Sequence, residues 1–162
     1  MKDAPADDTD PRNKKVLRLW LRMLPAVGLV EQQLRSRFRE HFTITLPQFD
    51  VLAELERADR PQTMSELSRL LLVSSGNVTG LVDRLVRSGY VNRRPCPDDR
   101  RVQWVELSDK GRAEFDTMAR AHEAWLVELF DELSDAEVDE LNRLMARMKL
   151  ALKHRLDVDE VA

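Results

Sequence analysis

The segment TMSELSRLLLVSSGNVTGLVDRLVRSG, Thr63–Gly89, decides the fold because it carries the signals of two short helices separated by a tight turn. Thr63 and Glu66 have the spacing of a capping box, in which the threonine hydroxyl accepts a bond from a free backbone N–H and the glutamate returns one. The first helix is predicted to end around Leu72, and VSS forms the turn. This arrangement predicts a pair of helices that pack across a short corner.

The second helix of the pair has its own start and stop signals. Ser74 or Ser75 can cap its beginning, and Gly89 follows its last turn, where glycine commonly ends a helix. Beyond it, YVNRR and VQWVEL alternate like strands on either side of PCPDD, which predicts a β-hairpin. The fold class is therefore mainly α with a small β-hairpin wing, a winged helix-turn-helix. The second helix of such a motif normally lies in the major groove of DNA.

This second helix has two faces of opposite character. Four apolar residues must pack inward: Val78, Leu81, Val82 and Leu85. The opposite face holds small or hydrogen-bonding residues and one cation: Ser75, Gly76, Asn77, Thr79, Gly80 and Arg84. Glycine inside a helix costs about 1 kcal/mol relative to alanine, so Gly76 and Gly80 need a reason. Close approach to a DNA strand is one, and a poor helix that packing tolerates is the alternative. Asn77 could bond an adenine edge with two hydrogen bonds, a contact that discriminates by about 1–3 kcal/mol.

Positive charge is concentrated in this region, although the whole chain has a net charge of −3. Between Ser74 and Trp104 there are six arginines and three aspartates, which gives a local net charge of +3. Arg100 and Arg101 lie at the hairpin tip, where they could enter a narrow minor groove. An ordinary solvated arginine turn is the alternative reading of the charge. Asp99 is predicted to pair with Arg101 and hold its guanidinium outward, unless the two form only a plain surface ion pair.

Helical periodicity also runs through both ends of the chain. From Asn13 to about Phe42 apolar residues recur every three or four positions, and Pro25 should kink this helix or mark a local break. A second helix starts near Pro47, and Ser108 caps a long fifth helix.

A second capping box, Ser134 with Glu137, opens a sixth helix with a coiled-coil-like seam, which indicates a partner chain. The predicted organisation has five parts: an acidic tail at 1–12, a dimerisation helix at 13–45, the winged helix-turn-helix at 46–108, C-terminal dimerisation helices at 109–156 and an acidic tail at 157–162.

Composition limits the remaining possibilities. A chain of 162 residues, 43% hydrophobic and 34% charged, suits one globular unit. No apolar run approaches the roughly 20 residues that cross a membrane, and a single cysteine, Cys96, fits a reducing cytoplasm. There is no nucleophile elbow, paired metal motif or CxxC, and SSGNVTG follows a helix, which makes it a poor phosphate loop. The sequence therefore predicts neither an enzyme nor a cofactor.

Three stretches, LPQFDVLAEL, MSELSRLLLVSSGNVTGLVDRLVRSGYVNRR and PDDRRVQWVELSDKG, resemble the MarR family of bacterial transcriptional regulators. The resemblance covers Asn13 to about Arg155. It implies an obligate homodimer whose first, fifth and sixth helices entwine across a two-fold axis. It also implies repression through a pseudo-palindromic operator of double-stranded DNA, with release by a small aromatic or phenolic ligand. Carried over by position, the DNA-binding residues would be Ser74, Ser75, Gly76, Asn77, Thr79, Gly80, Arg84, Asp99, Arg100 and Arg101. Pro25 and Cys96 depart from the family pattern.

Other sites are only loosely specified. Trp20 and His41 are candidate residues for the ligand site, together with Phe42 and Trp125, although each could equally be core or interface. Cys96 could be a redox sensor or incidental, and the three histidines lack the paired spacing of a zinc site. A winged-helix module that binds an acidic protein and not DNA is the competing hypothesis for the whole chain.

Overall fold

The computed structural model describes residues 10–97, 99 and 101–157, with side chains through 155. It is mainly helical and contains one small sheet, as the sequence predicts. In chain order the elements are α1 (Pro11–His41), α2 (Leu46–Ala58), β1 (Gln62–Thr63), α3 (Met64–Leu71), α4 (Ser75–Arg87), β2 (Val91–Pro95), β3 (Gln103–Leu107), α5 (Asp109–Leu129) and α6 (Asp135–Asp157). The chain divides into two compact units, one ending at Trp125 and the other beginning at Leu126.

Helix α1 is continuous through Pro25, so the predicted local break is wrong. The missing backbone N–H of proline removes one hydrogen bond of the helix but does not interrupt it here. The helix begins at Pro11, two residues before the predicted start, because the Asp10 carboxylate accepts the N–H of Arg12 at 2.8 Å and caps it. Only its C-terminal end is buried, where Phe38 is inaccessible to solvent.

The sheet has three antiparallel strands in the order β1-β3-β2. The hairpin of β2 and β3 confirms the predicted wing, with Arg93 opposite Val105 and Val91 opposite Leu107. Strand β1 was not predicted, because two residues are too short to show an alternating pattern. It pairs Gln62 with Val105 and so attaches the loop before α3 to the wing.

The core of the first unit lies among α2, α3, α4 and the sheet. Its fully buried side chains come from each of these elements: Val51, Leu52, Leu67, Val78, Val82, Leu85 and Val105. The predicted capping box at the start of α3 is confirmed, with Thr63 N–H donating to Glu66 at 2.7 Å and Glu66 N–H to the Thr63 hydroxyl at 3.2 Å. Helix α4 is thus held from behind by a core that one chain completes.

The second unit contains the end of α5 and all of α6. Ser134 begins α6 as predicted, because its N–H and its hydroxyl both donate to the Glu137 carboxylate, at 2.9 and 2.7 Å. These bonds lower the pKa of Glu137. Seam residues Leu141, Met145 and Leu152 are exposed on this helix.

Candidate nucleic-acid interface

Helix α4 has well-defined ends. Of the two candidate caps, Ser74 is the one used, since its hydroxyl accepts the N–H of Asn77 at 3.4 Å and Ser75 is the first helical residue. At the other end Gly89 has a φ of 77°, and the N–H of Tyr90 returns to the carbonyl of Leu85 at 2.9 Å. This return is the Schellman pattern, which fixes where the helix stops.

The outer face of α4 is polar and unobstructed. Ser74, Ser75, Gly76, Asn77, Thr79 and Arg84 are all exposed, and Gly80 is half-buried. Of the predicted inner face, Val78, Val82 and Leu85 are fully buried and Leu81 is half-buried.

Neither glycine of this face is required by packing within the chain. A Cβ at Gly76 would meet nothing within 4 Å, and one at Gly80 would reach only the flexible end of Arg84, at 3.8 Å. The Thr79 hydroxyl already donates to the Ser75 carbonyl at 2.9 Å. The surface offered to a partner therefore consists of bare helix backbone, short hydroxyl side chains, the Asn77 amide and the Arg84 guanidinium.

The wing turn carries the predicted pair of Asp99 and Arg101. Asp99 accepts the backbone N–H of Arg101 at 3.0 Å, its Nε at 3.2 Å and its Nη2 at 3.4 Å. These bonds lower the pKa of Asp99, the backbone bond most of all. The Arg101 side chain is 91% exposed, so the carboxylate holds a guanidinium that faces solvent. Asp98 and Arg100, also predicted at this turn, lie outside the described residues.

Two arginines of the hairpin form ion pairs with carboxylates of the same chain. Arg93 Nη2 donates to Asp83 of α4 at 2.6 Å, which ties the second helix to the wing. Arg94 lies over the ring of Trp104 at 5.1 Å and pairs with Glu106 at 3.0 Å. Sequence reasoning missed both pairs, because the partners lie ten or more residues apart with no fixed spacing.

Two cations near the outer face of α4 are not used in this way. Within the described part of the chain, Arg84 and Arg87 form no ion pair, and both are exposed. With Arg101, they give this side of the molecule three exposed guanidinium groups.

The C-terminal end of α4 is fastened to the start of α5. The Ser108 hydroxyl donates to the Gly89 carbonyl at 2.6 Å, and Lys110 Nζ donates to the Ser88 carbonyl at 2.9 Å. Ser108 also accepts the N–H of Gly111 at 3.0 Å, which confirms it as the cap of α5. Gly111 has to be glycine here, because a Cβ would overlap the carbonyl oxygen of Tyr90.

Tyr90 extends this fastening to the loop after α1. Its hydroxyl donates to Glu114 of α5 at 2.6 Å and lies 3.3 Å from the Thr43 hydroxyl. Burial, and then the bond to Glu114, raise the pKa of Tyr90. Tyr90, three residues after the end of α4, is therefore bonded both to α5 and to the loop after α1.

Aromatic rings cluster where α1, α2 and α5 meet. Seven aromatic rings form a connected set in which neighbouring ring centroids lie 4.9–6.1 Å apart: Phe38, His41, Phe42, Phe49, Phe115, His122 and Trp125. The predicted ligand residue His41 belongs to this cluster, 5.5 Å from the Trp125 ring. Burial lowers the pKa of His122. Trp20 does not join them, since 21 residues of helix, about 30 Å, separate it from His41.

Cys96 is half-buried in the wing, and its N–H donates to the Val102 carbonyl at 2.8 Å. A groove of about 280 Å³ runs along α1 past Gly28, Glu31 and Arg35, away from the aromatic cluster. Across the described ranges, no three metal-binding side chains come together. No helix there has the length and apolar character to cross a membrane.

The N-terminal half of α1 leaves many apolar side chains half exposed. They fall on more than one turn and include a tryptophan: Val16, Leu17, Leu19, Trp20, Leu21, Leu24, Val27 and Leu29. A run of this kind on a solvent-exposed helix is typical of a surface that another chain covers.

Comparison with known proteins gives a consistent result. A model of the MarR family matches residues 42–102, which hold α2 through the wing. The chain is 31% identical over 145 residues to the uncharacterised HTH-type transcriptional regulator YkoM of Bacillus subtilis, covering 90% of this chain and 91% of that protein.

Solved structures agree with the sequence matches. A MarR family transcriptional regulator from Silicibacter pomeroyi superposes with a TM-score of 0.76 at 30% identity, over 89% of this chain and 99% of that one. A mutant of MarR from E. coli, complexed with operator DNA, superposes with a TM-score of 0.73 at 28% identity, over 86% and 99%.

Proposed function

Because the chain belongs to the MarR family of transcriptional regulators, we propose that it represses transcription by binding a pseudo-palindromic operator as a homodimer. Its relatives are regulators and not enzymes, and the chain is a DNA-binding regulator of the same kind. Its work on chromosomal DNA takes place in the cytoplasm. The proposal rests on the outer face of α4, which is polar and contains two glycines, while the opposite face of the helix packs into a complete core.

The residues of α4 fit a major-groove reader. Exposed Ser74, Ser75, Asn77 and Thr79 offer short hydrogen-bonding groups near the helix N-terminus, and Arg84 adds a cation one to two turns further on. Open space at Gly76 lets the helix backbone approach a phosphate strand closely. Asn77 is the residue suited to an adenine edge, since its amide can donate and accept at once.

The wing fits the neighbouring minor groove. Arg101 is held outward by Asp99, and Arg100 is assigned to the same contact from its position in the sequence. A narrow minor groove has strong negative potential, which attracts a guanidinium of this kind. The bond from Arg93 to Asp83 keeps the wing and α4 in one orientation, so both contacts can form together.

The exposed apolar residues of α1 and the exposed seam of α6 support the proposed homodimer. Each needs a partner, and an interface between identical chains repeats the same contacts on both sides of a two-fold axis. Such an axis would also present two copies of α4 to successive turns of the duplex, about 34–36 Å apart.

Release by a small aromatic or phenolic ligand is proposed on the aromatic cluster. His41 is exposed and Phe42 and Trp125 are half-buried, so a flat ring could stack against them. Thr43 directly follows His41 and Phe42 in the chain and contacts Tyr90, which offers a route from such a ligand to the end of α4. Thermal-shift screening of aromatic acids tests this part, with Trp125 as a fluorescent reporter after the other tryptophans are replaced.

The DNA-binding assignment is tested by selecting a binding sequence from genomic fragments and measuring affinity by gel shift. Asn77→Ala should lose about tenfold or more on the selected operator and little on random DNA, because it removes a base contact. Arg101→Ala should weaken binding to both DNAs alike and reduce the salt slope by roughly 2 per dimer. Unchanged affinity in both variants would refute the assignment. A failed selection, together with capture of an acidic protein, would favour the protein-interaction alternative.

A further inference from the structure

Helix α3 ends with the same hydrogen-bond pattern as α4, but with a different residue at the key position. The N–H of Leu72 returns to the Arg69 carbonyl at 3.4 Å, and that of Val73 to the Ser68 carbonyl at 3.2 Å. The residue after the helix has a positive φ in both cases, 53° at Leu72 and 77° at Gly89. Glycine is the usual choice there, because a side chain strains this backbone conformation.

Leu72 gains nothing from packing to offset that strain. Its side chain is 91% exposed, the highest fraction among the described large apolar residues. The turn itself is firmly held, since the Ser68 hydroxyl donates to the Val73 carbonyl at 2.6 Å. A residue that is strained by its backbone and unprotected from water, in a rigid turn, points to a contact made outside the chain.

The position of Leu72 indicates what that contact is. It lies two residues before Ser74, at the end of α4 that presents Ser75, Gly76 and Asn77. We propose that Leu72 is an apolar contact to the operator, in which it meets a thymine methyl group or the deoxyribose beside the bases that α4 reads. Apolar contact with the thymine methyl is an established mode of sequence readout. This inference rests on the proposed DNA binding.

Two substitutions separate the side chain of Leu72 from its backbone. Leu72→Ala keeps the strained conformation and removes the contact, whereas Leu72→Gly removes both. Both variants should bind the selected operator about tenfold more weakly, since each of two subunits loses a buried apolar contact. Only Leu72→Gly should also melt higher, by about 2–4 °C.

Asp59→Gly is the matched control. Asp59 is the other described non-glycine residue with a positive φ, 50°, and it follows α2. The change should not weaken operator binding, because it removes a negative charge and no apolar contact. Arg101→Ala serves as the positive control for DNA binding.

Operators with deoxyuridine in place of single thymines identify the apolar group. If Leu72 touches a thymine methyl, one replacement weakens the native protein and has no effect on Leu72→Ala. If it touches deoxyribose, no replacement distinguishes the two proteins, yet Leu72→Ala stays weaker. Native affinity in both Leu72 variants, with Arg101→Ala impaired, would overturn the Leu72 contact and leave the proposed function standing. Absence of operator binding by the native protein would instead refute the proposed function.

Discussion

Apolar side chains are mostly buried in the winged region, residues 46–108, and mostly exposed in the N-terminal half of α1. In the winged region Val78, Val82 and Leu85 are fully buried within one chain. In α1, Leu17 and Leu24 remain 57% and 50% exposed. One chain therefore completes the core behind the proposed DNA-binding surface. The exposed apolar residues of α1 are the ones that we propose a second chain covers. Folding of the winged region and pairing of two chains therefore depend on different sets of apolar contacts.

The largest effect is expected in α1, where we propose that a second chain covers the exposed apolar residues. Replacing Leu17 and Leu24 together by glutamate should raise the dimer dissociation constant at least about 100-fold, because a two-fold interface buries each new charge twice. Sedimentation equilibrium measures it. Gln33→Glu adds a carboxylate at an exposed polar position of the same helix and should stay dimeric. A double variant that remains fully dimeric would mean that α1 is not covered by a second copy.

The next largest effect is expected on the stability of the winged region itself. Gly111→Ala should lower the free energy of unfolding by about 1–3 kcal/mol, since its Cβ would overlap the Tyr90 carbonyl in a packed site. Urea denaturation gives the value. Gly76→Ala is the control, because a Cβ there meets open space, and it should weaken operator binding without lowering stability. Equal stability of both alanine variants would show that the junction of α4 and α5 is looser than described.

A smaller effect is expected at the link between α4 and the wing. Asp83→Ala leaves the Arg93 guanidinium without its carboxylate, beside an Nε that already lacks a partner among the described atoms. Unfolding free energy should fall by about 1 kcal/mol, and operator affinity severalfold, because the wing is less well oriented. Glu106→Ala removes the carboxylate partner of Arg94, a guanidinium more exposed than that of Arg93, and should change either quantity by less. If Glu106→Ala is the more damaging, the orienting role of Asp83 is wrong.

The smallest effect on stability is expected at Asp50 of α2, which lies close to charged residues of α1. Asp50 reaches solvent, yet loss of hydration and then the nearby Glu31 carboxylate raise its pKa to about 6, while Arg35 opposes them. Because folding raises this pKa, the folded state binds a proton more tightly, and stability rises as the pH falls from about 6 towards 3.8.

Asp50→Asn tests this linkage. The variant should be more stable than the native protein at pH 7.5, by about 1 kcal/mol after solvent screening. This gap should narrow as the pH falls below about 6 and close near pH 3.8, where the unfolded chain also takes up the proton. Melting temperatures of both proteins across this range measure the difference. A constant gap at every pH would show that Asp50 does not titrate as described.

Sequence reasoning succeeded where the signal is local. The capping box at Thr63, the glycine stop at Gly89 and the hairpin alternation each depend on neighbours within about four residues, and all three are confirmed. At Ser134 only the return bond to Glu137 is present, because the Ser134 hydroxyl donates to that carboxylate and accepts no backbone N–H from the described part of the chain. The apolar face of α4 also follows from spacing alone.

Features that depend on the folded chain could not be found in this way. The pairing of Asp83 with Arg93, and the requirement for glycine at Gly111, arise only after distant segments come together. The positive φ at Leu72 was hidden because leucine gives no sign of a left-handed turn. Residue roles in DNA binding rest on family resemblance and exposure, and they stay predictions.

In the proposed complex, two copies of α4 and its wing, related by symmetry, bind successive turns of one duplex. Hydroxyl-radical footprinting of the selected operator tests this arrangement most directly. We expect two protected half-sites of matching sequence, related by two-fold symmetry and centred about 10 base pairs apart, with the flanking minor grooves exposed again in Arg101→Ala. A single protected segment without symmetry, or half-sites that are not one helical turn apart, would contradict the account.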